Sequence, residues 1–392
     1  MHTRDVQATT VASSYDVSAR NRVRVLESLI KEGPSSRVAI ARATGMNPAT
    51  VNRLTAALMR RGLVDQAGND ETTGGRPSML VKFQPRARTI LAIDLWENAI
   101  EIALLDLTGR IINRSSLDWQ HTSARQKLEL VKEVIAEWDA CEEHTLVAVG
   151  VSVPGPVSSQ GQVLLAPALE WYDLDVLQEL QYATDVPITL ENDVNLIAYA
   201  EYRHLLSPDH KTLVAMAVFQ GVGAGIVEDG RLWRGNQGAA GQFGRMLRDP
   251  SGLHHKRYGF GHLETELGSG GILQRAIDAR VVSPEVESAD VVFAAAQDGD
   301  LEALEMVESV ADEYAFHLVN VCAMIAPDIV VFGGLFERWS GLLIPMIRQR
   351  LEGNVINMPE LRTAELGDEG KLIGAGMYAF ENAGGLTALV AN

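Results

Sequence analysis

Short segments with helical periodicity, each ended by a glycine, occupy the start of the chain and constrain its fold more than any other feature. Over Ser18–Lys31 the apolar side chains recur at helical spacing, and Gly33-Pro34 then ends the segment. Ser35 or Ser36 can cap a second helix, which stops at Gly45, a residue suited to a left-handed C-cap. The pattern predicts two short helices joined by a tight turn.

A third helix follows directly, because Asn47 can cap it and Pro48 suits its first position, where a missing N–H costs nothing. Val51, Leu54 and Leu58 form its inner stripe, so the residues between them face outward near the helix start. A recognition helix presents short polar and arginine side chains to the major groove in this way. The predicted DNA-contacting residues of this segment are Asn47, Pro48, Ala49, Thr50, Asn52 and Arg53.

Two predicted strands, Leu63–Gln66 and Met79–Phe83, flank a polar turn and together form a wing. Within the turn, Gly75 and Arg76 suit a narrow minor groove. Residues 1–86 carry a net charge of +6, which fits a nucleic-acid-binding module. Each feature has a simpler explanation, since such helices also occur in ordinary helical domains. Their coincidence predicts a winged helix-turn-helix DNA-binding domain over residues 1–86.

The net charge of the remaining residues is −23, which brings the chain of 392 residues to −17. A composition of 46% hydrophobic and 22% charged residues excludes a collagen, a disordered tail and a disulfide scaffold. The two cysteines belong to no paired motif, no apolar run reaches the length of a membrane span, and the polar start lacks a signal-peptide core. We therefore expect a reduced, cytoplasmic protein that has no membrane partner.

The sequence pattern of residues 87–392 predicts two α/β halves. Predicted strands lie at 90–94, 100–105, 111–117 and 146–153, with a helix at 126–138 before the last of them. This β-β-β-α-β order predicts a mixed sheet rather than a purely parallel one. The second half repeats the pattern with strands at 213–219, 225–229, 231–233 and 329–332 and helices at 264–278, 285–298 and 300–325. We expect two lobes, about 87–205 and 206–392, around a cleft.

Several motifs, weak singly but specific in their order, resemble those of the ROK family of repressors, open reading frames and sugar kinases. They are Val153-Pro154-Gly155-Pro156, Glu191-Asn192-Asp193-Val194-Asn195, Gly221-Val222-Gly223-Ala224-Gly225, Asp229-Gly230-Arg231, Gly238-Ala239-Ala240-Gly241, Asp328-Ile329-Val330-Val331-Phe332-Gly333-Gly334 and Leu372-Ile373-Gly374-Ala375. The resemblance implies an actin-like ATPase (ribonuclease H-like) fold. The fused head is similar to the repressor branch, which includes xylose and N-acetylglucosamine repressors.

The resemblance also implies a ligand site, in which Asp193 matches the family's catalytic base. In a repressor this carboxylate would only accept a hydrogen bond from a sugar hydroxyl, and the simpler alternative is a helix cap. Asn192 and Glu264 match the family's sugar contacts, whereas Ala168 stands in place of an expected asparagine. The expected Glu-x-Gly-His reads Gln242-Phe243-Gly244-Arg245. Two hypotheses stay open for Arg245: it binds a carboxylate or phosphate of an altered sugar, or it pairs with a nearby Asp or Glu.

The phosphate-binding turn of the family's kinases departs most from the pattern. Their Asp-x-Gly-Gly-Thr turn lets backbone N–H groups approach ATP, but this chain reads Asp94-Leu95-Trp96-Glu97-Asn98. Trp96 is bulky and Glu97 is anionic, so both oppose phosphate binding. The run Gly221–Gly225 survives, although a tight hairpin turn would retain glycine anyway. We therefore expect no catalytic residue and no phosphoryl transfer.

The family's structural zinc loop is also altered. Two of its four ligand positions read His255 and His262, and the other two read Arg257 and Arg245. Arginine does not ligate zinc, so the closed four-ligand site cannot form from these positions. We expect no metal and no other cofactor.

Together these features predict a transcriptional regulator, most simply a repressor, that is controlled by a carbohydrate or a sugar derivative. A recognition helix reads few base pairs, so we expect a homodimer or homotetramer on a double-stranded DNA operator. One alternative is an ATP-dependent sugar kinase with a fused DNA-binding head. Another is a DNA-binding protein that responds to no effector because its pocket has decayed.

Overall fold

The computed structural model describes residues 14–70, 78–205, 210–255 and 259–391. The N-terminal part contains three helices and a three-stranded antiparallel sheet of order β1-β3-β2. Its elements are α1 (Ser14–Glu32), β1 (Ser35–Ser36), α2 (Arg37–Thr44), α3 (Pro48–Arg60), β2 (Val64–Asp70) and β3 (Ser78–Phe83). The predicted three helices and two wing strands are confirmed.

Local signals set the helix ends in this part. The Ser36 side chain accepts from the backbone N–H of Ala39 at the start of α2, and Gly45 ends that helix with a φ of 67°. The Asn47 side chain accepts from the N–H of Ala49, 2.8 Å away, and Pro48 opens α3. The predicted caps are therefore correct, with Ser36 rather than Ser35 at the second helix.

The first sheet of the body has the order β10-β7-β4-β5-β6. Its strands and the small β8–β9 hairpin are β4 (Thr89–Leu95), β5 (Ala99–Asp106), β6 (Ile111–Asp118), β7 (Leu146–Val153), β8 (Val163–Ala166), β9 (Trp171–Leu174) and β10 (Ile188–Asn192). The helices of this half are α4 (Ala124–Asp139), α5 (Val176–Leu180) and α6 (Asp193–Leu205). Strand β4 pairs antiparallel with β5 and parallel with β7, so the predicted mixed sheet is confirmed.

The second sheet has the order β13-β12-β11-β14-β15 and is also mixed. Its strands are β11 (Thr212–Val218), β12 (Val222–Glu228), β13 (Arg231–Leu232), β14 (Ile329–Gly334) and β15 (Glu360–Thr363). The helices are α7 (His262–Leu267), α8 (Ser269–Asp278), α9 (Asp290–Gln297), α10 (Leu301–Ile325), α11 (Leu335–Arg338), α12 (Ser340–Leu351), α13 (Gly370–Asn382) and α14 (Gly385–Ala391).

Two helix predictions in this half are wrong in their bounds. The helix expected over 264–278 is broken at Gly268, whose extended backbone lies so close to the β11–β12 turn that a Cβ would be 2.1 Å from the Gln220 carbonyl oxygen. The helix expected over 285–298 begins only at Asp290. Helical periodicity in the sequence cannot predict such a contact between the backbone and a distant turn.

Helices α6 and α13 lie between the two sheets and position the cleft. Apolar side chains of α13 pack with one face of β4, whereas α4 covers the other face of that strand. Helix α6 packs with β11 and β12, and helices α7–α12 cover the opposite face of the second sheet. Helix α13 thus packs on the first sheet although it belongs to the part of the chain that we assign to the second lobe.

The N-terminal part contacts the C-terminal helix α14. Val25, Leu26 and Leu29 of α1 belong to the same buried apolar cluster as Val390. The Arg61 guanidinium donates to the carbonyl oxygen of Leu389 at 3.0 Å, and Arg22 donates to that of Val390. These carbonyls lie in the last turn of a helix, where no intrahelical donor is available, so arginine is a favourable partner.

Candidate functional site

The outer surface of α3 carries the predicted DNA contacts. Val51, Leu54 and Leu58 are buried in the head as expected. Of the predicted contact residues, Thr50 is half-buried, and the exposed ones are Asn47, Pro48, Ala49, Asn52 and Arg53. The predicted wing residues Gly75 and Arg76 lie outside the described residues. The binding of DNA by these side chains stays a prediction.

A cavity of about 590 Å³ lies between the two sheets, where β4, β10 and β11 end. Ligands commonly bind at the carboxyl ends of such strands. The cavity brings together the five predicted ligand residues: Asn192, Asp193, Gln242, Arg245 and Glu264. Their contact with an effector stays a prediction, but their common position agrees with it.

Asn192 caps α6. Its Oδ1 accepts from the backbone N–H groups of Val194 and Asn195 at 3.0 and 3.1 Å, and its Nδ2 donates to the carbonyl oxygen of Gly155. Asp193 takes part in the cap as well, because its Oδ1 accepts from the Val194 N–H at 2.9 Å. The alternative that Asp193 caps α6 is therefore correct in part, alongside Asn192. The same Oδ1 also accepts from the Asn192 side-chain amide at 2.9 Å, whereas Oδ2 faces the ammonium of Lys371.

Asp193 and Asp94 share one buried lysine. The Lys371 Nζ lies 3.8 Å from Oδ2 of each carboxylate, and Ser152 donates to the other oxygen of Asp94. Burial raises the pKa of Asp193 above its usual value; Lys371 opposes this rise, and Asp94 adds to it. The lysine thus favours the ionised, hydrogen-bond-accepting form of Asp193.

Lys371 and Phe219 were not predicted as site residues. The Lys371 ammonium lies 3.8 Å from the centre of the Trp96 ring and 3.9 Å from that of Phe219. One signal was available for the lysine, because it is the only charged residue in the otherwise uncharged run 370–380. Nothing local to the sequence, however, shows which carboxylates this lysine faces.

The turn after β4 is held in a fixed conformation. The Trp119 indole N–H donates to the carbonyl oxygens of Trp96 and Glu97, both at 3.0 Å, and Lys127 donates to that of Glu97 at 3.3 Å. The Trp96 ring meets Phe219 edge-on, with centroids 5.6 Å apart. Side chains therefore occupy the part of the cleft beside Asp94 that a glycine turn would leave open.

The glycine run Gly221–Gly225 only partly forms a hairpin turn. The β11–β12 turn includes Gly221, whereas Gly223 and Gly225 lie inside strand β12. A Cβ on Gly223 would be 2.6 Å from a methyl group of Val194, and one on Gly225 would be 2.5 Å from the Val194 carbonyl oxygen. The turn explanation is therefore wrong for these two residues, which are glycines because α6 packs directly on the strand.

Glu264 and Arg245 contact backbone groups at the edge of the cavity. The Glu264 carboxylate accepts from the N–H of Gly261 and from that of Val222 at 3.4 Å. Arg245 donates to the Gly259 carbonyl oxygen at 2.9 Å. Backbone donors thus hold Glu264 and the loop around it.

The residues at the zinc positions do not fit a closed zinc site. The His262 ring nitrogen lies 2.7 Å from the His255 carbonyl oxygen, so it is engaged by the backbone. Arg245 is directed to Gly259, and Arg257 lies outside the described residues. Within the described ranges, no three His, Cys, Asp or Glu side chains are grouped as metal ligands would be.

Comparison with known proteins identifies both parts of the chain. Residues 18–68 match the IclR helix-turn-helix domain, and residues 90–381 match the ROK family. The xylose repressor of Bacillus spizizenii is 23% identical over 383 residues, which cover 95% of this chain and 98% of that one. The DNA-binding transcriptional dual regulator NagC of Escherichia coli is 25% identical over 363 residues, 88% of this chain and 89% of the other.

Solved structures share the fold. A ROK family transcriptional regulator, a homologue of the E. coli MLC protein, superposes with a TM-score of 0.78 at 24% identity and covers 96% of this chain and 99% of that one. A ROK family glucokinase from Streptomyces griseus, in complex with glucose and AMPPNP, has a TM-score of 0.63 at 22% identity and covers 75% of this chain and 99% of that one. The predicted fold class is confirmed: the chain belongs to the ROK family and joins an IclR-type helix-turn-helix domain to it.

Proposed function

We propose that this protein is a DNA-binding transcriptional regulator, a repressor, whose kinase-like cleft binds a sugar or sugar derivative. The proposal depends on one combination of features. Helix α3 exposes Asn52 and Arg53, as a recognition helix would, and the same chain contains a cleft of the sugar-kinase type. The match along most of their length to relatives named as a xylose repressor and as a DNA-binding transcriptional dual regulator supports it. We propose residues 1–86 as the head and 87–392 as the body, with lobes of about 87–205 and 206–392.

We propose that phosphoryl transfer has been lost. Trp96 and Phe219 occupy the region beside Asp94, and the carbonyls of the 96–97 turn are bonded to Trp119 and Lys127. A phosphate would need backbone N–H groups directed at it from this turn. The alternative function, a sugar kinase with a fused head, predicts sugar-dependent release of ADP from ATP.

A coupled assay for ADP tests this alternative. We expect no turnover above the protein-free blank with D-glucose, D-xylose or N-acetyl-D-glucosamine at millimolar concentration. Sugar-dependent ADP release that scales with protein concentration would overturn the loss of phosphoryl transfer.

The effector that we propose is a carbohydrate. Among the relatives, one is named a xylose repressor and another an N-acetylglucosamine repressor, and the related glucokinase structure holds glucose. Asp193 supplies an acceptor for a sugar hydroxyl. We further propose that Arg245, at the edge of the same cavity, can contact an acidic substituent, which titration calorimetry with neutral and acidic sugars would reveal.

We also propose a cytoplasmic homodimer or homotetramer that binds a palindromic double-stranded DNA operator. A two-fold assembly would present two recognition helices to two half-sites. Over the parts of the chain that the structure describes, no helix combines the length and apolar character of a membrane span. Sedimentation of the purified protein with and without operator DNA would determine the assembly.

The central experiment is an Arg53→Ala substitution, measured on operator fragments selected from genomic DNA with the wild-type protein. Because one good base contact contributes about 1–3 kcal/mol, we expect about 5- to 150-fold weaker specific binding with unchanged sugar binding. Arg125→Ala, an exposed arginine of α4 in the body, is the matched control and should bind DNA normally. Wild-type DNA affinity in Arg53→Ala would contradict the proposal, whereas loss of both DNA and sugar binding would indicate a folding defect.

A further inference from the structure

Lys371 presents a buried ammonium to the cavity. It lies in the first turn of α13, and only 7% of its side chain is exposed. Its distances of 3.8 Å to the Asp94 and Asp193 carboxylates exceed the 2.7–3.2 Å range of a direct hydrogen bond. Among the residues that the structure describes, none accepts a hydrogen bond from this ammonium. Its donors are therefore available at the wall of the cleft.

Aromatic rings confine the ammonium on its other sides. The ring centres of Trp96 and Phe219 lie 3.8 and 3.9 Å from Nζ, and both rings belong to the cavity wall. The rings stabilise the positive charge but offer no strong acceptor. Asp94 and Asp193 place two carboxyl groups beside the one ammonium. This arrangement would hold a ligand oxygen that both accepts and donates.

The packing of α13 fixes the backbone that carries the lysine. A Cβ on Gly374 would be 2.2 Å from the Leu196 carbonyl oxygen, and one on Gly376 would be 2.8 Å from a Leu105 methyl group. The helix is therefore in close contact with α6 on one side and with the first sheet on the other. A donor on such a rigid element loses little conformational freedom when a ligand binds.

We propose that Lys371 determines effector specificity by donating a hydrogen bond to an uncharged sugar hydroxyl, which in turn donates to Asp193. An oxygen about 2.8 Å from both Nζ and Oδ2 fits the 3.8 Å gap between them. A hydroxyl can donate and accept, whereas a phosphate or carboxylate only accepts and would face two carboxylates beside one ammonium. This inference rests on the proposed effector control and specifies the chemistry at one end of the ligand. An acidic substituent would have to lie at Arg245 instead.

The test compares Lys371→Met, which keeps the length but removes the charge, with wild-type protein. Calorimetric titration uses D-xylose, D-glucose, N-acetyl-D-glucosamine, glucose 6-phosphate and the single-deoxy analogues of each neutral sugar. For the sugar that binds wild-type protein, we expect Lys371→Met to bind about 10- to 100-fold more weakly. Lys82→Met, at an exposed lysine of β3, should bind like wild type. Lys371→Gln, which keeps a neutral donor, serves if the Met variant does not fold.

The deoxy analogues separate a direct contact from a general loss of structure. One analogue, which lacks the bridging hydroxyl, should bind wild type at least as weakly as the parent sugar binds Lys371→Met, because it also loses the contact with Asp193. For this analogue the affinities of Lys371→Met and wild type should be equal. The inference would be overturned if Lys371→Met bound the parent sugar as tightly as wild type does. It would also be overturned if the substitution weakened the binding of every analogue by the same factor, including the one without the bridging hydroxyl. Either result would leave the proposed function standing. Failure of every sugar to bind wild-type protein would instead overturn the proposed effector control, and the inference with it.

Discussion

Asn192 and Asp193, at the end of β10, make different side-chain contacts that the sequence around them does not reveal. Asn192 uses both side-chain atoms to cap α6 and to hold Gly155, which leaves one oxygen of Asp193 directed at Lys371. A carboxylate beside a helix start would ordinarily be interpreted as the cap. Here Asp193 shares that role with Asn192, since each accepts from the Val194 N–H, and the Asn192 amide can in addition donate to a neighbouring loop.

Asp290, at the start of α9, provides a pH-dependent prediction. Partial burial works to raise its pKa, but hydrogen bonds from Arg338, Ser288 and Trp339 outweigh this and lower the pKa to about 2. Because the folded-state pKa lies below the unfolded value of about 3.9, the ionised group stabilises the fold above that pH. This contribution is lost as the pH falls toward 2.

We expect Asp290→Asn to lower the free energy of unfolding by about 1 kcal/mol at pH 7, a figure discounted for the solvent exposure of the pair. Urea unfolding at pH 7 and pH 3 should show a smaller difference from wild type at the lower pH. Asp298→Asn, exposed at the other end of the same helix, is the control and should show no such change. A difference that grows as the pH falls would contradict the assignment.

Among the elements, the contact between β12 and α6 explains a motif that resembles a phosphate-binding loop. Gly223 and Gly225 lie in a regular antiparallel strand, without the positive φ of a tight turn. Their missing side chains let the strand approach Val194 and Ala198 at the start of α6. Close packing between β12 and α6 therefore explains the glycines of this segment, and their presence is not evidence of nucleotide binding.

Gly225→Ala tests this packing explanation. The new methyl group would lie 2.5 Å from the Val194 carbonyl oxygen and 2.8 Å from the Ala198 Cβ. We expect a loss of about 1–3 kcal/mol in the free energy of unfolding, measured in urea. Gly341→Ala in α12, where the methyl group meets no atom within 4 Å, should be neutral or slightly stabilising. A wild-type midpoint for Gly225→Ala would refute the close approach.

In the whole molecule, the first and last elements of the chain are packed together. The buried cluster that includes α1 continues through Val390 into α13 and the first sheet. Arg22 and Arg61 each donate to a carbonyl oxygen at the end of α14. The predicted basic head and acidic body therefore share one apolar core, with two arginine bonds at its edge.

The double variant Arg22→Ala/Arg61→Ala measures how firmly the head is held. Loss of two such bonds, at about 1 kcal/mol each, should speed amide exchange in α14 and α1 by about tenfold or more. Hydrogen exchange followed by mass spectrometry would show this, with α10 as an internal reference. Arg60→Ala, exposed at the same end of α3, is the matched control. Unchanged exchange in α14 would show that the apolar contacts alone hold the head.

The amino-acid sequence by itself determined the elements whose signals are local. The caps at Ser36 and Asn47, the stop at Gly45 and the mixed order of β4–β7 could all be predicted, because capping and periodicity act within a few residues. The motif order also identified the family. The break at Gly268 could not be predicted, since it depends on a carbonyl from a distant turn.

Only the tertiary structure decided the chemistry at the centre of the cleft. Lys371 meets Asp94, Asp193 and the rings of Trp96 and Phe219 because α13 packs between the first sheet and α6. These residues come from four distant parts of the chain, and no local pattern encodes which of them converge. The energy of a buried charge depends on the partners within a few ångströms, and those are set by the packing of whole elements.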